Sequence, residues 1–275
     1  MIVFMRWIGL FAALLIPGLL WAGEAGNPLK IELISETRSI AEGKTFHLGL
    51  HLTHPAGSHT YWKHPGIVGL ATTVEWEMPP GFTAGEIQWP APQVVKMASY
   101  KAQGYEGETL LMIPITLPEK LTGSTATLTA KVSWMCCGKT CEPAMKIPFT
   151  ITLPVTESME KNTAALALFE KFQLLVPKAD PMWKITVQRR SKEIWLTLKP
   201  SPRTGVCSDE DFARIHFFTA DGQVDSSRQQ VIKMIEDGTI SMELPVSENG
   251  PKNQPALTGV VILPDGKRLE VDPKF

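Results

Sequence analysis

Alternating apolar and polar residues run along most of the chain and predict short β-strands. In the first half the alternation recurs in six segments, Leu29–Ser35, Thr45–Thr53, Thr72–Glu77, Leu110–Leu117, Ala126–Trp134 and Lys146–Leu153. Turn-forming residues such as Glu42-Gly43 and Pro79-Pro80-Gly81 separate these segments. Because short strands at this spacing are typical of two packed sheets, residues 26–154 are predicted to form a β-sandwich domain.

A change of pattern after the first domain predicts a helical connector over residues 155–178. Ser158 is placed to cap a helix that runs through Leu166 and Phe169 and that Pro177 would end. The alternative is that this helix belongs to one of the flanking domains.

Strand patterns then return and predict a second, smaller β-sandwich over residues 179–275. Its segments are Trp183–Arg189, Glu193–Leu198, Arg214–Thr219, Thr239–Pro245 and Leu257–Leu263. Strong turns such as Ala220-Asp221-Gly222 punctuate them. The predicted fold class is therefore all-β, with two β-sandwich domains joined by a short helical connector.

The first residues have the pattern of an export signal. Met1–Arg6 carries one positive charge, Trp7–Trp21 is apolar, and small residues follow up to Ala25. This order predicts a signal peptide over residues 1–25 and a periplasmic protein that is soluble after cleavage. An uncleaved anchor is the alternative, although the apolar stretch is short for a helix that crosses a bilayer.

Composition narrows the function classes. The 275 residues have a net charge of −1 and no basic runs, so a nucleic-acid partner is not expected. Neither a hydrolase elbow nor a phosphate-binding glycine loop is found, so a small-molecule substrate is not expected and no cofactor is predicted. A hydrophobic fraction of 44% is enough for a core that needs no disulfides. The cysteines are therefore not needed for stability, and a chemical role is considered for them.

Three of the four cysteines lie close together in the chain. Cys136 and Cys137 end a predicted strand, and Cys141 follows the short Gly138-Lys139-Thr140 loop. Residues that face each other across a hairpin come within reach of a disulfide, which makes Cys137–Cys141 one candidate bond. Cys136–Cys141 and a vicinal Cys136–Cys137 bond are the alternatives. A bond across so short a loop stabilises the fold little, which favours a redox pair over a structural staple.

The fourth cysteine, Cys207, stands alone in the second predicted domain. It is either a free thiol or a partner of Cys136, if the two domains meet there. With four cysteines, three complete pairings exist. The sequence leaves the roles of Cys136 and Cys207 open.

Metal binding is a competing hypothesis, because five of the six histidines fall between His47 and His64. His47 and His51 share a strand face but lie about 13 Å apart along it, so they cannot share one metal ion without other ligands. For His59 a structural hydrogen bond is the simpler account. The site is predicted to hold no metal, and copper handling is kept as an alternative function.

Several motifs, taken in order, resemble a known family. They are Gly57-Ser58-His59-Thr60-Tyr61-Trp62-Lys63-His64-Pro65-Gly66, Gln88-Trp89-Pro90-Ala91-Pro92, Gly104-Tyr105-Glu106-Gly107-Glu108 and the strand Val132–Trp134 before the cysteines. Together they are similar to the amino-terminal periplasmic domain of the DsbD thiol:disulfide interchange proteins, in the longer ScsB-like form. His216-Phe217-Phe218 and Leu257-Thr258-Gly259-Val260 resemble the companion domain of that form.

The resemblance implies immunoglobulin-like sandwiches and a redox pair formed by Cys137 and Cys141, with Cys141 making mixed disulfides. It also implies a cap loop over the pair at residues 98–107, with Tyr105 as the first cap candidate and Tyr100 as the second. Glu106 in this segment is a candidate for taking or giving a proton during exchange.

The expected function is thiol–disulfide exchange, in which the chain relays electrons as a thiol:disulfide oxidoreductase. The expected partners are periplasmic thiol or disulfide proteins and a separate membrane-embedded reductase, because these residues include no eight-helix membrane segment. The alternative is a non-enzymatic binding or assembly module in which the disulfide is structural.

Overall fold

Ten strands of the first domain are seen in the computed structural model, which describes residues 29–201, 214–235 and 237–275. The predicted signal segment 1–25 and Cys207 lie outside these ranges. The strands are β1 (Lys30–Ser35), β2 (Thr45–Thr53), β3 (His59–Gly66), β4 (Thr73–Glu77), β5 (Thr83–Ala84), β6 (Gln93–Met97), β7 (Tyr100–Glu106), β8 (Glu108–Thr116), β9 (Thr125–Cys137) and β10 (Cys141–Pro154).

These strands form two sheets that pack into a sandwich. One sheet has the order β1-β2-β8-β5, and the other has the order β10-β9-β3-β7-β6 with β4 also paired to β9. Every strand pair is antiparallel, so one face of each strand can be apolar while the other meets solvent. The inward faces supply a common core that includes Leu48, Leu50, Leu111, Ile113, Leu128 and Val132. Burial of these side chains is the main favourable term for the domain.

The helix α1 (Thr163–Gln173) packs on the outside of the first sandwich. Phe169 and Phe172 cover Leu110 and Met112, which point outward from β8. A helix of 11 residues is marginal by itself, so this packing stabilises it. α1 begins after Asn162, four residues later than a cap at Ser158 would place it, and the Asn162 amide donates to the backbone oxygen of Ser35 instead of capping the helix.

Seven further strands of the described residues form the second sandwich. They are β11 (Trp183–Arg189), β12 (Glu193–Pro200), β13 (His216–Thr219), β14 (Val231–Met234), β15 (Ile240–Pro245), β16 (Gly259–Ile262) and β17 (Arg268–Val271). The two sheets have the orders β11-β12-β15-β14 and β13-β16-β17, around a core that includes Leu196, Phe217, Met242 and Val261. The predicted all-β fold class is confirmed. Within the described ranges, no helix has the length and hydropathy of a membrane span.

A buried glutamine joins the two sandwiches. Gln103 on β7 is 1% exposed, and its Nε2 donates to the backbone oxygens of His64 and Thr219 at 2.6 and 2.8 Å. Its Oε1 accepts the Thr219 backbone N–H at 2.9 Å. Phe218 and Val260 of the second sandwich pack into the core of the first. The strand that carries Gln103 is thus held from both domains.

Strand β10 lies at the edge of its sheet and is interrupted by a bulge. The register with β9 shifts between Ala144 and Ile147, and Lys146 within the bulge has a positive φ of 53°. The Lys146 backbone N–H donates to the side-chain hydroxyl of Ser133 on β9 and so takes no part in a backbone ladder bond. Pro143 and Pro148 flank the bulge and have no N–H to offer. The edge is therefore a poor template for a further strand.

The Gln103 contacts generate a stability prediction. Gln103→Ala should lower the free energy of unfolding by about 3 kcal/mol, because a buried N–H and two buried carbonyls lose their partner. Urea unfolding of the purified protein measures this loss. The matched variant Gln188→Ala, on the exposed face of β11, should change it by less than about 0.5 kcal/mol. Equal values for the two variants would contradict the role assigned to Gln103.

Candidate functional site

A disulfide closes the β9–β10 hairpin. Cys137 ends β9, Cys141 begins β10, and the two are paired residues of the ladder with their Cα atoms 4.1 Å apart. The loop between them has three residues, and within it the Gly138 N–H donates to the Thr140 backbone oxygen. Of the three bonds that the sequence left open, the structure contains Cys137–Cys141.

The two sulphur-bearing residues have different exposure. Cys137 is 1% exposed and packs with Tyr61, Val95 and Ala102 on the outer face of the sheet. Cys141 is exposed at the start of the edge strand. An incoming thiolate therefore meets the sulphur of Cys141, whereas Cys137 is sheltered from solvent.

Cys136 takes no part in the bond. Successive side chains of a strand point to opposite faces, so Cys136 projects away from the face that carries Cys137 and lies opposite Glu142. Its thiol is free and half-buried. Burial raises the pKa of the Cys136 thiol, and the Glu142 carboxylate raises it further, so the thiol stays protonated near neutral pH. Cys136 is thus a poor nucleophile in this position.

The strand register places His59 and Glu106 in one row with the disulfide. Glu106 on β7 pairs with His59 on β3, and His59 pairs with Cys137 on β9. Cys137 in turn pairs with Cys141. Paired residues of adjacent strands project to the same face of the sheet, so these four side chains form a row across four strands.

Tyr61 adjoins this row. It is 1% exposed, its hydroxyl lies 3.3 Å from His59 Nε2, and the two rings meet edge to face. Burial raises the pKa of Tyr61. Sequence reasoning did not single out Tyr61 as a site residue. The signal available was its spacing of two residues from His59, which places both on one strand face.

A loop over residues 67–71, here called the cover loop, shields Tyr61 from solvent. Ala71 forms a parallel bridge with Tyr61, and Gly69 lies against its ring with a φ of 104°. A Cβ atom at position 69 would overlap the ring. Ile67 and Leu70 of the same loop are exposed. The cover loop and the Tyr61 ring together form one wall over the buried Cys137.

The first cap candidate, Tyr105, does not cover the disulfide as the resemblance implied. Tyr105 is buried in the sandwich core, and its hydroxyl donates to the Pro90 backbone oxygen at 2.7 Å. It projects from the face of β7 opposite to Ala102, which packs with Cys137. The side chain therefore cannot cover the disulfide.

The other two residues named in the predicted cap segment, Tyr100 and Glu106, lie on the sheet face that carries the disulfide. Tyr100 pairs with Met97 at the end of the β6–β7 hairpin and is 48% exposed, and Met97 packs against the cluster that contains Cys137. Glu106 is exposed at the end of the row described above. Tyr100 remains the cap candidate.

Three other histidines of the first domain have separate partners. His47 pairs with Glu36, and His51 lies between Glu32 and Glu108. His54 contacts the Gly107 backbone oxygen through Nδ1 and the Thr60 hydroxyl through Nε2. Among the described residues, no three His, Cys, Asp or Glu side chains are grouped so as to hold a metal ion.

The tight contact at Gly69 predicts how the cover loop can be opened. Gly69→Ala should displace the loop and lower the free energy of unfolding by about 3 kcal/mol, because a left-handed backbone and a steric overlap are both penalised. The displaced loop should also open Cys137 to attack in addition to the exposed Cys141, so that dithiothreitol reduces the disulfide faster. Gly107→Ala is the matched control, since φ is 67° there and nothing lies within 4 Å of the new Cβ. It should lower the free energy of unfolding by about 1 kcal/mol. A reduction rate that is the same in both variants would contradict the shielding role of the cover loop.

Comparison with known proteins identifies relatives of the domain that carries the disulfide. Residues 32–153 match the family model described as thiol:disulfide interchange protein DsbD, N-terminal. Among curated proteins, no sequence matches the chain. The solved N-terminal periplasmic domain of ScsB from Proteus mirabilis is similar, with a TM-score of 0.58 and 16% identity over 86% of this chain and 90% of that one. At this identity the likeness establishes the fold, an immunoglobulin-like sandwich followed by a second sandwich.

Two other solved structures are more distant. The CupB2 chaperone of Pseudomonas aeruginosa has a TM-score of 0.21 and 10% identity, over 88% of this chain and 100% of that one. The sporulation control protein Spo0M of Bacillus subtilis has a TM-score of 0.23 and 10% identity, over 90% and 89%.

Proposed function

Because residues 32–153 belong to the amino-terminal domain family of the thiol:disulfide interchange protein DsbD, we propose that this chain performs thiol–disulfide exchange through Cys137 and Cys141. The supporting observation is the disulfide between an exposed Cys141 and a buried Cys137. This asymmetry gives the two sulphurs different tasks. Cys141 meets the partner, and Cys137 completes the exchange.

The exchange runs through a mixed disulfide. A partner thiolate attacks Cys141, the Cys137–Cys141 bond breaks, and Cys137 leaves with the electron pair. A second thiolate of that partner then attacks its own mixed-disulfide sulphur and releases the reduced pair. In the other direction, reduced Cys141 attacks the disulfide of an acceptor protein, and Cys137 displaces the acceptor. The β6–β7 hairpin lies on the side of Cys137, where Met97 packs against the cluster that contains this cysteine, so it shelters Cys137 and leaves Cys141 open to either partner.

The proposed setting is the periplasm, with residues 1–25 as the export signal. The reductant is a separate membrane-embedded reductase, and the acceptors are periplasmic disulfide proteins. We assign residues 26–154 to the redox domain, 155–178 to the connector and 179–275 to the second sandwich. The second sandwich supports the redox domain through Gln103.

The reduction potential tests whether the bond is redox-active. Glutathione titration with mass mapping of each cysteine should give a potential of about −180 to −270 mV for the Cys137–Cys141 couple, the range of exchange proteins. A potential below about −300 mV would instead indicate a structural bond. That result would favour a binding or assembly module over an electron relay.

Trapping of partners tests the two assigned tasks. Cys137→Ser should accumulate mixed disulfides with periplasmic proteins, because Cys141 can attack but nothing displaces the partner. Cys141→Ser should form none at Cys137, since Cys137 is buried, and the experiment is done with Cys136→Ser and Cys207→Ser so that no other thiol is present. Non-reducing gels followed by mass mapping detect the adducts. Mixed disulfides on Cys137 that persist in Cys141→Ser would reverse the assignment of the two cysteines.

A further inference from the structure

A row of side chains crosses four strands beside the buried cysteine. Its order is Glu106, His59, Cys137 and Cys141, fixed by three successive register pairs. We propose that His59 accepts and returns the proton of Cys137, and that Glu106 stabilises the charged imidazole. The inference rests on the proposed exchange function and assigns the proton transfer within it.

The register places His59 directly beside Cys137 on the adjacent strand. Side chains of paired residues on adjacent strands have their Cβ atoms about 4.5–5.5 Å apart, which is close enough for an imidazole and a thiol to meet. His59 is 2% exposed and Cys137 is 1% exposed, so water has little access to either. A buried thiol that must ionise requires a proton acceptor within the protein.

Tyr61 holds the ring of His59 in place. Its hydroxyl lies 3.3 Å from Nε2, and its ring packs edge to face on the imidazole with centroids 5.1 Å apart. When Nε2–H donates to the Tyr61 hydroxyl, Nδ1 carries the lone pair that can accept a proton. The contact is compatible with the tautomer that acts as a base.

The electrostatics suit a base that works near neutral pH. Burial lowers the pKa of His59 below its ordinary value, so the ring is neutral and ready to accept. The Glu106 carboxylate opposes this effect and favours the imidazolium once it forms. Glu106 is exposed, so the end of the row meets solvent. The titratable groups around His59 are Glu106 on β7, Tyr61 on its own strand, Cys137 on β9 and His54 in the preceding loop.

The step balances without any other reactant. The Cys137 thiol gives its proton to His59, and its sulphur attacks Cys141 in the mixed disulfide. The Cys137–Cys141 bond forms, the bond from Cys141 to the partner breaks, and the partner leaves as a thiolate. The pair is oxidised and the partner disulfide is reduced. In the reverse direction His59 returns the proton to the departing Cys137.

A two-phase reaction with an aromatic disulfide isolates this step. The reduced protein carries Cys136→Ser and Cys207→Ser, so that only the pair reacts with dithiobis-nitrobenzoate. Cys141 releases the first coloured thiolate at a rate that depends on reagent concentration. Cys137 then releases the second at a rate that does not. His59→Gln should slow the second phase about 100-fold and leave the first unchanged, because only Cys137 loses its base.

The pH profile distinguishes proton transfer from a structural effect. In the parent protein the second phase should fall at acid pH as His59 becomes protonated. His59→Gln should lose this dependence and keep only the slow rise that follows ionisation of the thiol. Glu106→Gln, an exposed change that leaves the fold intact, should slow the same phase about 10-fold, as expected for loss of a charge that stabilises the imidazolium. His47→Gln is the matched control far from the row and should behave as the parent.

The outcomes separate this inference from the proposed function. A second phase unchanged in both His59→Gln and Glu106→Gln overturns the proton-transfer assignment while exchange itself stands. If neither Cys141 nor Cys137 of the parent protein reacts with the reagent, so that no coloured thiolate is released, the exchange function is refuted.

Discussion

Strand register is the constraint on which the site depends. A ladder pairs each residue with one neighbour and sends paired side chains to the same face. In the β9–β10 hairpin this rule sets Cys137 opposite Cys141 and turns Cys136 to the other face. A slip of one residue would exchange the roles of Cys136 and Cys137, and the disulfide would leave the face that carries His59. The packed core and the three-residue loop both oppose such a slip.

Support for that register comes from the whole molecule. Strand β3 carries His59 and Tyr61 and lies between β9 and β7, so its position sets the distance between the histidine and the disulfide. Gln103 fixes β7 to the second sandwich, and the cover loop is anchored through Tyr61. The second sandwich therefore stabilises the frame of the site without contributing a residue to the row.

The sequence predicted those parts of the fold in which one strand face is buried and the other is not. Alternation identified β1, β4 and β9, and the short loop between cysteines identified the disulfide hairpin. It did not identify β7, because four consecutive residues from Ala102 to Tyr105 are buried and a core glutamine interrupts the apolar pattern. Tyr105 was misplaced for a related reason. Which face of β7 meets the disulfide depends on its pairing with β3, and a pairing between distant segments leaves no mark in either segment alone.

The bulge in β10 has a consequence for whether copies of the protein associate through their sheet edges. Exchange chemistry needs an exposed sulphur, and here that sulphur lies at the start of an edge strand that is paired only on the side of β9, with Met145 67% exposed nearby. Such an edge would ordinarily invite a second copy to add its own strand and begin a polymer. The bulge at Lys146 bends this edge, and Pro143 and Pro148 have no N–H to donate, so a second strand cannot pair regularly here. In the proposed exchange, the chain can thus present the sulphur of Cys141 without presenting the edge of β10 for strand pairing.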